Sequence, residues 1–197
     1  MEEKKGPKYG KIREAGKELF WKHGISRVNV DEICLLAGVS RMTFYKYFRN
    51  KTDLALNILQ SFYDENLRRY NSIMRSDKDF ADKAKELILL KIDGTNDLSK
   101  EFVDDIFRMK DSEVSKWYQK IYANYMDIME KDLIMAQKKG EIRKDLKIEF
   151  IMYFFDKTYI MVTDPVLLSH YESVQEMILE VINFFFYGIM PPKGKVK

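Results

Sequence analysis

The sequence has few of the residues that disulfide-linked, collagen-like or membrane-spanning proteins require. Its 197 residues include 1 Cys, 4 Pro and 9 Gly. A single cysteine excludes an internal disulfide framework and any multi-cysteine metal site. The longest apolar stretches, residues 150–155 and 184–190, are much shorter than the roughly 20 residues that span a bilayer. Because the N-terminal residues also lack the apolar segment of a signal peptide, we expect a cytoplasmic protein without a membrane partner.

Signatures of catalysis and of metal binding are also scarce. His23 and His170 are the only histidines, and they lie in separate segments. The sequence contains no HExxH, no GxSxG and no Gly-rich phosphate loop. The many acidic residues include no pair whose spacing distinguishes it from acidic residues on an ordinary solvated helix face. We therefore predict no catalytic residue, no metal and no cofactor, with a helical enzyme kept as an alternative.

Charge is unevenly distributed along the chain. Residues 1–51 hold 12 Lys and Arg against 6 Asp and Glu, and residues 52–197 hold 22 against 25. The net charge of +3 therefore divides into +6 on the first segment and −3 on the rest. This asymmetry is typical of a basic domain that meets a polyanion, followed by a body that does not.

Local signals predict four helices in and just after the basic segment. Gly24 is a C-terminal stop for the first helix. Asn29 with Glu32 forms a capping box at the start of the second helix. Ser40 caps a short third helix, and Asn50 caps the fourth. Low Pro and Gly and the absence of β-alternation predict an all-α fold of about nine helices. Breaks between the later helices are predicted at Gly94-Thr95, Gly140 and Asp164-Pro165.

The second and third helices have the layout of a helix-turn-helix. They are separated by a four-residue turn in which Gly38 permits the reversal of the backbone. The third helix presents donors and aromatic hydroxyls on its outward face, which suit a DNA major groove. These outward residues are Arg41, Thr43, Tyr45, Lys46 and Tyr47. The alternative from spacing alone is the solvated face of a small three-helix domain.

The first quarter of the chain resembles the N-terminal domain of TetR-family transcriptional regulators. The matching positions are Ile12, Ala15, Leu19, Phe20, Gly24, Asn29, Val30, Ile33, Ala37, Gly38, Val39, Ser40, Thr43, Phe44, Tyr45, Phe48, Lys51 and Leu54. The resemblance implies a helix-turn-helix DNA-binding domain over residues 5–65, with the motif itself at about 31–50. It also implies a helical effector-binding and dimerisation domain over residues 66–197, with the fourth helix shared between the two.

The resemblance carries DNA contacts over to particular positions. The implied DNA-binding residues are Asn29, Ser40, Arg41, Met42, Thr43, Tyr45, Lys46, Tyr47 and Lys51. Met42 departs from the family, which usually has a small residue there, so no operator sequence is inferred by analogy. The implied partner is a palindromic double-stranded operator, because helix-turn-helix proteins usually bind as two-fold dimers.

The last two long helices are the predicted dimer surface. They are apolar over more than one face, which exceeds what a single core needs. In the resembled family they form a four-helix bundle with the partner subunit. The predicted interface residues are Ile151, Phe155, Tyr159, Ile178, Ile182 and Phe185. A wide core within one chain is the alternative.

The middle helices are rich in aromatic residues and methionine, which could line an apolar cavity for a small-molecule effector. The candidate residues are Phe102, Phe107, Trp117, Tyr118, Tyr122, Tyr125, Met126, Tyr153 and Asp156. Residues at this spacing more often belong to an ordinary core, which is the alternative.

The resulting prediction is a homodimeric repressor that an at least partly apolar effector releases from DNA. Control by a protein partner, action without a ligand, and activation instead of repression all stay open as alternatives.

Overall fold

The computed structural model describes residues 6–95, 98–107 and 112–191, and these residues form ten α-helices and no β-strand. The helices are α1 (Pro7–His23), α2 (Val30–Ala37), α3 (Arg41–Tyr47), α4 (Lys51–Met74), α5 (Phe80–Thr95), α6 (Lys100–Phe107), α7 (Glu113–Lys139), α8 (Ile148–Thr163), α9 (Pro165–Leu168) and α10 (Val174–Ile189). The predicted all-α class is confirmed, with one helix more than the nine expected.

Capping side chains begin α2 and α4 where the sequence predicted. At α2, Asn29 Oδ1 accepts a hydrogen bond from the Glu32 backbone N–H at 3.0 Å, and Glu32 Oε2 accepts one from the Asn29 N–H at 2.8 Å. At α4, Asn50 Oδ1 accepts from the backbone N–H of Asp53 at 2.8 Å. Gly38 ends α2 with φ 63°, in the left-handed region that favours glycine.

The predicted break at Gly94-Thr95 is present but lies later than expected, because α5 continues through Gly94 and ends at Thr95. Glycine inside a helix costs about 1 kcal/mol relative to alanine, and tertiary contacts offset that cost here. The Thr95 hydroxyl donates to the Lys91 carbonyl at 2.7 Å. Gln175 Nε2 donates to the Ile92 carbonyl at 2.6 Å, so carbonyls in the last turn have partners.

The predicted break at Asp164-Pro165 is present, and a short helix starts there. Proline suits the first position of a helix because its missing N–H would have no partner there. Asp164 Oδ1 accepts hydrogen bonds from the backbone N–H groups of Val166 at 2.8 Å and Leu167 at 3.3 Å. The additional helix is therefore α9. Its sequence position was predicted as a break, but the cap that begins a helix there was not predicted.

The chain forms two compact units. Unit 1 comprises residues within 1–65 and 97–119, and unit 2 comprises those within 66–96 and 120–197. The helix α4 begins in unit 1 and ends in unit 2, and so does α7. Residues 97–119, which the sequence assigned to the body, thus pack with the helix-turn-helix.

Unit 1 has one apolar core. Its most buried side chains, at 0–1% exposure, are Ile12, Phe20, Ile33, Phe44 and Leu54. The helix α6 joins this core through α1: the Trp21 and Phe102 rings lie 4.5 Å apart, and the backbone N–H of Ser99 donates to the Trp21 carbonyl at 2.9 Å. The helix-turn-helix therefore shares its core with α6.

Unit 2 is built around α10, against which α5 and α8 pack. The side chains of Ile151, Met177 and Phe185 are 0–2% exposed and form the centre of this packing. A second group, Tyr70, Leu87 and Leu90, fills the space between α4 and α5. Within the described ranges, no helix has both the length and the apolar character that crossing a membrane requires.

Candidate functional site

The outward face of α3 is set by a single buried residue. Phe44 is 0% exposed and contacts the ring of Phe48 at 5.9 Å, which fixes the helix against the core. Met42 is 85% exposed and Tyr45 is 54% exposed. Lys46 is also exposed. Of the five residues predicted to face outward, Arg41, Tyr45 and Lys46 are exposed, whereas Thr43 and Tyr47 are partly buried.

The start of α3 is held by two polar side chains. The Ser40 Oγ accepts a hydrogen bond from the backbone N–H of Thr43 at 3.2 Å and lies 3.1 Å from its Oγ1. Both side chains of the predicted DNA-binding set are thus engaged in the cap. They set the direction of the first turn, in which Arg41 and Met42 also lie.

Arg41 is bound to a carboxylate of the preceding helix. Its Nε and one terminal nitrogen donate to the two oxygens of Asp31, and both side chains are exposed. The hydrogen bond to Arg41 lowers the pKa of Asp31, and the same bond raises the pKa of Arg41. The pair joins α2 to α3 and neutralises a carboxylate that would otherwise repel phosphates.

The two tyrosines of α3 lie in different environments. Tyr45 is exposed, whereas Tyr47 is partly buried and packs edge-on against Tyr9 with ring centroids 5.8 Å apart. The Tyr9 hydroxyl donates to Asn57 Oδ1 at 2.8 Å, which ties α1 to α4. Tyr45 thus has its ring on the outer face, while much of the Tyr47 ring faces α1.

Lys51 has a position that sequence spacing did not reveal. Its ammonium donates to the carbonyl oxygens of Ser26 at 2.8 Å and Val28 at 2.6 Å, in the segment between α1 and α2. Burial lowers the pKa of Lys51, and the carboxylates of Asp105 and Glu32 act in the opposite direction. Its hydrogen bonds hold the start of α4 to the segment that leads into Asn29.

Asp105 of α6 contacts the same segment, and the sequence carried no signal for it. One oxygen accepts the Ser26 backbone N–H at 2.8 Å, and the other accepts the Ser26 hydroxyl at 2.6 Å. The two residues are 79 positions apart, and an Asp on a short amphipathic helix reads as ordinary solvated surface. Pattern analysis therefore could not join α6 to the helix-turn-helix.

The predicted effector residues are divided between the units. Phe102, Trp117 and Tyr118 belong to the core of unit 1, and the Trp117 indole N–H donates to Gln60 Oε1 at 2.8 Å. The side chain of Phe107 lies outside the described part of the structure. This group therefore lies with the helix-turn-helix.

The other predicted effector residues meet in unit 2. The Tyr122 hydroxyl donates to Asp156 Oδ1 at 3.3 Å, and Lys157 Nζ donates to the second oxygen of the same carboxylate at 2.9 Å. Tyr125 contacts the rings of Tyr70 at 5.5 Å and Phe155 at 6.4 Å.

The helix α7 carries the partly buried Met126 beside Tyr125. The group of Tyr70, Tyr125, Phe155 and Phe185, in which Phe155 and Phe185 lie 5.0 Å apart, is called the aromatic cluster below. An open depression of about 570 Å³ in the same unit lies at the α7–α8 connection. It is lined by other residues, namely Glu130, Ile134, Gln137 and residues 144–149.

The helices predicted to form the dimer surface carry both core and exposed apolar residues. Ile151, Ile182 and Phe185 are 1%, 7% and 2% exposed, so they are already buried within the chain. Phe155 and Ile178 are partly buried, and the Tyr159 side chain lies outside the described part.

The exposed aromatic side chains described on these helices are different ones. They are Phe150, Tyr153, Phe184 and Tyr187, at 57%, 63%, 69% and 60% exposure. Phe154 connects the two helices, with rings 6.5 Å from Phe150 and 6.1 Å from Phe184. These five residues are called the aromatic strip. Tyr153, which the sequence assigned to the effector site, belongs to it and lies beneath the Lys157 ammonium at 4.9 Å.

Across the described ranges, no group of three or more His, Cys, Asp or Glu side chains could hold a metal ion. Cys34 is buried, and burial raises the pKa of its thiol. A raised pKa disfavours the reactive thiolate, so Cys34 behaves as a small apolar core residue.

Comparison with known proteins relates both units to one family. A family model described as "Bacterial regulatory proteins, tetR family" matches residues 12–58. The "Fatty acid metabolism regulator protein" of Bacillus subtilis (strain 168) is 30% identical over 152 residues, which are 73% of this chain and 75% of that protein. The "HTH-type transcriptional repressor DhaR" of Mycobacterium sp. (strain GP1) is 23% identical and covers 90% of each chain.

Solved structures show the same fold over nearly the whole chain. The regulatory protein TetR from Rhodobacter sphaeroides superposes with a TM-score of 0.74 at 16% identity, covering 94% of this chain and 100% of that one. The transcriptional regulator FadR from Bacillus subtilis in complex with stearoyl-CoA gives a TM-score of 0.69 at 21% identity, covering 92% and 99%. At these identities the likeness extends to the fold alone.

Proposed function

Because the chain belongs to the TetR family of bacterial regulatory proteins, we propose that it is a homodimeric repressor that long-chain acyl compounds release from DNA. Membership of the family makes it a DNA-binding transcriptional regulator. Its relatives are regulators and not enzymes. The observation that carries the DNA-binding part is the outward face of α3, which buried Phe44 holds in a fixed orientation.

In the proposed complex α3 enters the major groove. An α-helix with its side chains is about 10–12 Å in diameter, which fits a major groove about 12 Å wide. Met42, Tyr45 and Lys46 contact base edges and phosphates. Arg41 reaches DNA by leaving Asp31, or by donating to the Asp31 carboxylate and to a phosphate at the same time.

The remaining members of the predicted set have supporting parts in this proposal. Ser40, Thr43 and Asn29 present the first turns of α3 and α2, whose free N–H groups favour phosphate oxygens. Tyr47 orients α3 through its contact with Tyr9. Lys51 positions the segment that leads into α2 through its two carbonyl contacts.

The aromatic strip supports a homodimer. One short helix reads only a few base pairs, so specific binding requires two copies related by a two-fold axis. Exposed aromatic residues that lie side by side on α8 and α10 are the kind of surface that an identical surface covers. A second copy of this chain is therefore the proposed occupant of the strip.

Relatives support the choice of effector. The Bacillus subtilis relative regulates fatty acid metabolism by its name, and a neighbour of the same fold binds stearoyl-CoA. In this chain the aromatic cluster and the adaptable Met126 offer an apolar environment for an acyl chain. An effector changes DNA affinity only by binding the two states of the dimer unequally.

The DNA part is tested by selecting genomic fragments with the purified protein and measuring affinity by fluorescence anisotropy. We expect a palindrome with half-site centres about 34–36 Å apart, or a multiple of it. Lys46→Ala should weaken binding and reduce the slope of log affinity against log salt by about one per phosphate contact. Lys138→Ala, which removes the same charge at the end of α7 in unit 2, is the matched control.

Two outcomes contradict the proposal separately. Equal operator affinity of Lys46→Ala and the unmodified protein rejects α3 as the reading helix. Intact DNA binding that neither hexadecanoate nor hexadecanoyl-coenzyme A changes rejects the effector, and leaves a regulator controlled by a protein or by nothing.

A further inference from the structure

The inner face of α5 carries lysines without counter-charges, in contrast to its outer face. On the outer face, Lys85 donates to Asp82 at 2.8 Å, and Lys78 pairs with Glu86. Lys83 is only 4% exposed, and Lys91 lies two turns further along the same face, about 12 Å away. Within the described ranges, neither Lys83 nor Lys91 forms an ion pair or a side-chain hydrogen bond.

Lys91 lies beside the aromatic cluster. Its ammonium is 5.8 Å from the centroid of the Tyr125 ring, and Tyr125 in turn contacts Tyr70 and Phe155. The Tyr70 hydroxyl of the same cluster donates to Asp132 Oδ2 at 3.0 Å. A cation over an aromatic face gains some attraction from the ring, but a ring does not replace an anion.

The backbone around Lys91 is held from two sides. Its carbonyl accepts the Thr95 hydroxyl at 2.7 Å, and the next carbonyl, of Ile92, accepts Gln175 Nε2 from α10 at 2.6 Å. These two hydrogen bonds hold the backbone at Lys91 in place. The Lys91 side chain can therefore move relative to the cluster only by changing its own rotamer.

The electrostatic environment of Lys91 is unfavourable without a ligand. Lys91 is partly buried. Burial lowers the pKa of its ammonium, and no carboxylate of the described residues offsets the effect. Taking a charge even partly out of water is costly unless an opposite charge or several hydrogen bonds compensate for it. Lys85 on the same helix differs in both respects: it is exposed to water, and its hydrogen bond to Asp82 raises its pKa.

We propose that Lys91 is the counter-charge for an acidic group carried by the acyl effector, with the apolar chain of that effector against the aromatic cluster. The inference rests on the proposed function, and it adds the position of the acidic group and the requirement that the effector be an anion. A carboxylate and the phosphates of an acyl-coenzyme A share this chemistry. A neutral ester of the same chain lacks it.

The test measures binding of hexadecanoate, hexadecanoyl-coenzyme A and methyl hexadecanoate to the full-length protein by intrinsic fluorescence. We expect at least one of the two anions to bind about 10- to 100-fold more tightly than the ester, as for a hydrogen bond to a charged group. The tighter of the two anions identifies which acidic group Lys91 meets.

Variants test whether Lys91 causes the preference for the anion over the ester. Lys91→Met should bind the favoured anion and the ester equally, while Lys91→Arg, which keeps the charge, should retain the preference. Lys85→Met is the matched control on the outer face of α5, and it should also retain it. Without a ligand, Lys91→Met should raise the melting temperature by a few degrees, because the uncompensated charge is gone.

The outcomes separate this inference from the function on which it rests. If the ester and both anions bind equally and all release DNA, the acyl-responsive repressor stands and the role of Lys91 is rejected. If Lys91→Met keeps the preference for the anion, the role of Lys91 is likewise rejected. If none of the three compounds binds, both proposals are rejected.

Discussion

The exposed faces of α3 and of the pair α8 and α10 are both rich in aromatic residues, yet they differ in chemistry. On α3, Tyr45 stands beside Lys46 and the pair of Arg41 with Asp31. On α8 and α10, the aromatic strip consists of phenylalanine and tyrosine rings, among which Phe154 contacts Phe150 and Phe184. The first face fits a charged, hydrated partner, and the second fits an apolar surface of its own kind.

Three individual cations show a similar contrast. In unit 1, Lys51 and Arg41 are each satisfied within the chain, by carbonyls and by a carboxylate. In unit 2, Lys91 faces an aromatic ring. A satisfied cation stabilises the structure that holds it, whereas an unsatisfied one favours whatever brings an anion. Lys51 and Arg41 thus stabilise the helix-turn-helix, whereas Lys91 is the side chain proposed to bind an anionic ligand.

The largest expected effect concerns the anchor of α3. Phe44→Ala should lower the free energy of unfolding by about 3–5 kcal/mol, since it removes a fully buried ring. Operator binding should be lost with it. Tyr45→Ala, one position along and exposed, should cost no more than about 1.5 kcal/mol, the most expected from its edge-on contact with the Phe44 ring, while still weakening DNA binding. Chemical denaturation and anisotropy measure the two quantities, and equal stability losses would contradict the orientation of α3.

A smaller effect is expected at the aromatic strip. Phe184→Lys should weaken dimerisation on the order of 100-fold, because a two-fold interface contains the substitution twice. Leu89→Lys is the control, since Leu89 is 58% exposed on α5 and lies outside the strip. Sedimentation equilibrium gives both dissociation constants. A Phe184→Lys protein that dimerises as well as its control would show that the strip is not the interface.

The smallest effect is expected at the Asp31–Arg41 pair. Asp31→Asn should leave the melting temperature nearly unchanged, because exposed ion pairs contribute little to stability. DNA affinity should rise a few-fold at low salt, since a negative charge near the phosphates is removed and Arg41 is released. The gain should fade as salt increases. Weaker binding by Asp31→Asn would mean that the pair is needed to orient Arg41.

Local signals in the sequence were sufficient for the first helices. Asn29, Ser40 and Asn50 are caps whose partners lie three residues away, so their hydrogen bonds can be predicted without knowledge of the fold. The end of α5 lies beyond the position predicted for it before Gly94, for the converse reason. The contact that stabilises the end of α5 comes from Gln175, 83 residues away from its partner Ile92.

For the site residues too, local patterns could be predicted from the sequence and contacts between distant residues could not. Apolar spacing correctly indicated that α8 and α10 carry more apolar surface than one face requires, but it could not separate Ile151 and Phe185, which are buried, from Phe150 and Phe184, which are exposed. All four are large and apolar, and only the packing of α8 on α10 distinguishes them. The contacts of Asp105 with Ser26 and of Lys91 with Tyr125 were beyond prediction for the same reason.

The sequence by itself determined the helical class, the caps and turn of the helix-turn-helix, the family and the division of charge between the first 51 residues and the rest. Each of these depends on residue type or on interactions within about four positions. Only the tertiary structure decided which aromatic residues are core and which are surface, and which lysines have partners. Those properties depend on which distant helices meet, and burial, which sets the cost of an unpaired charge, exists only once they do.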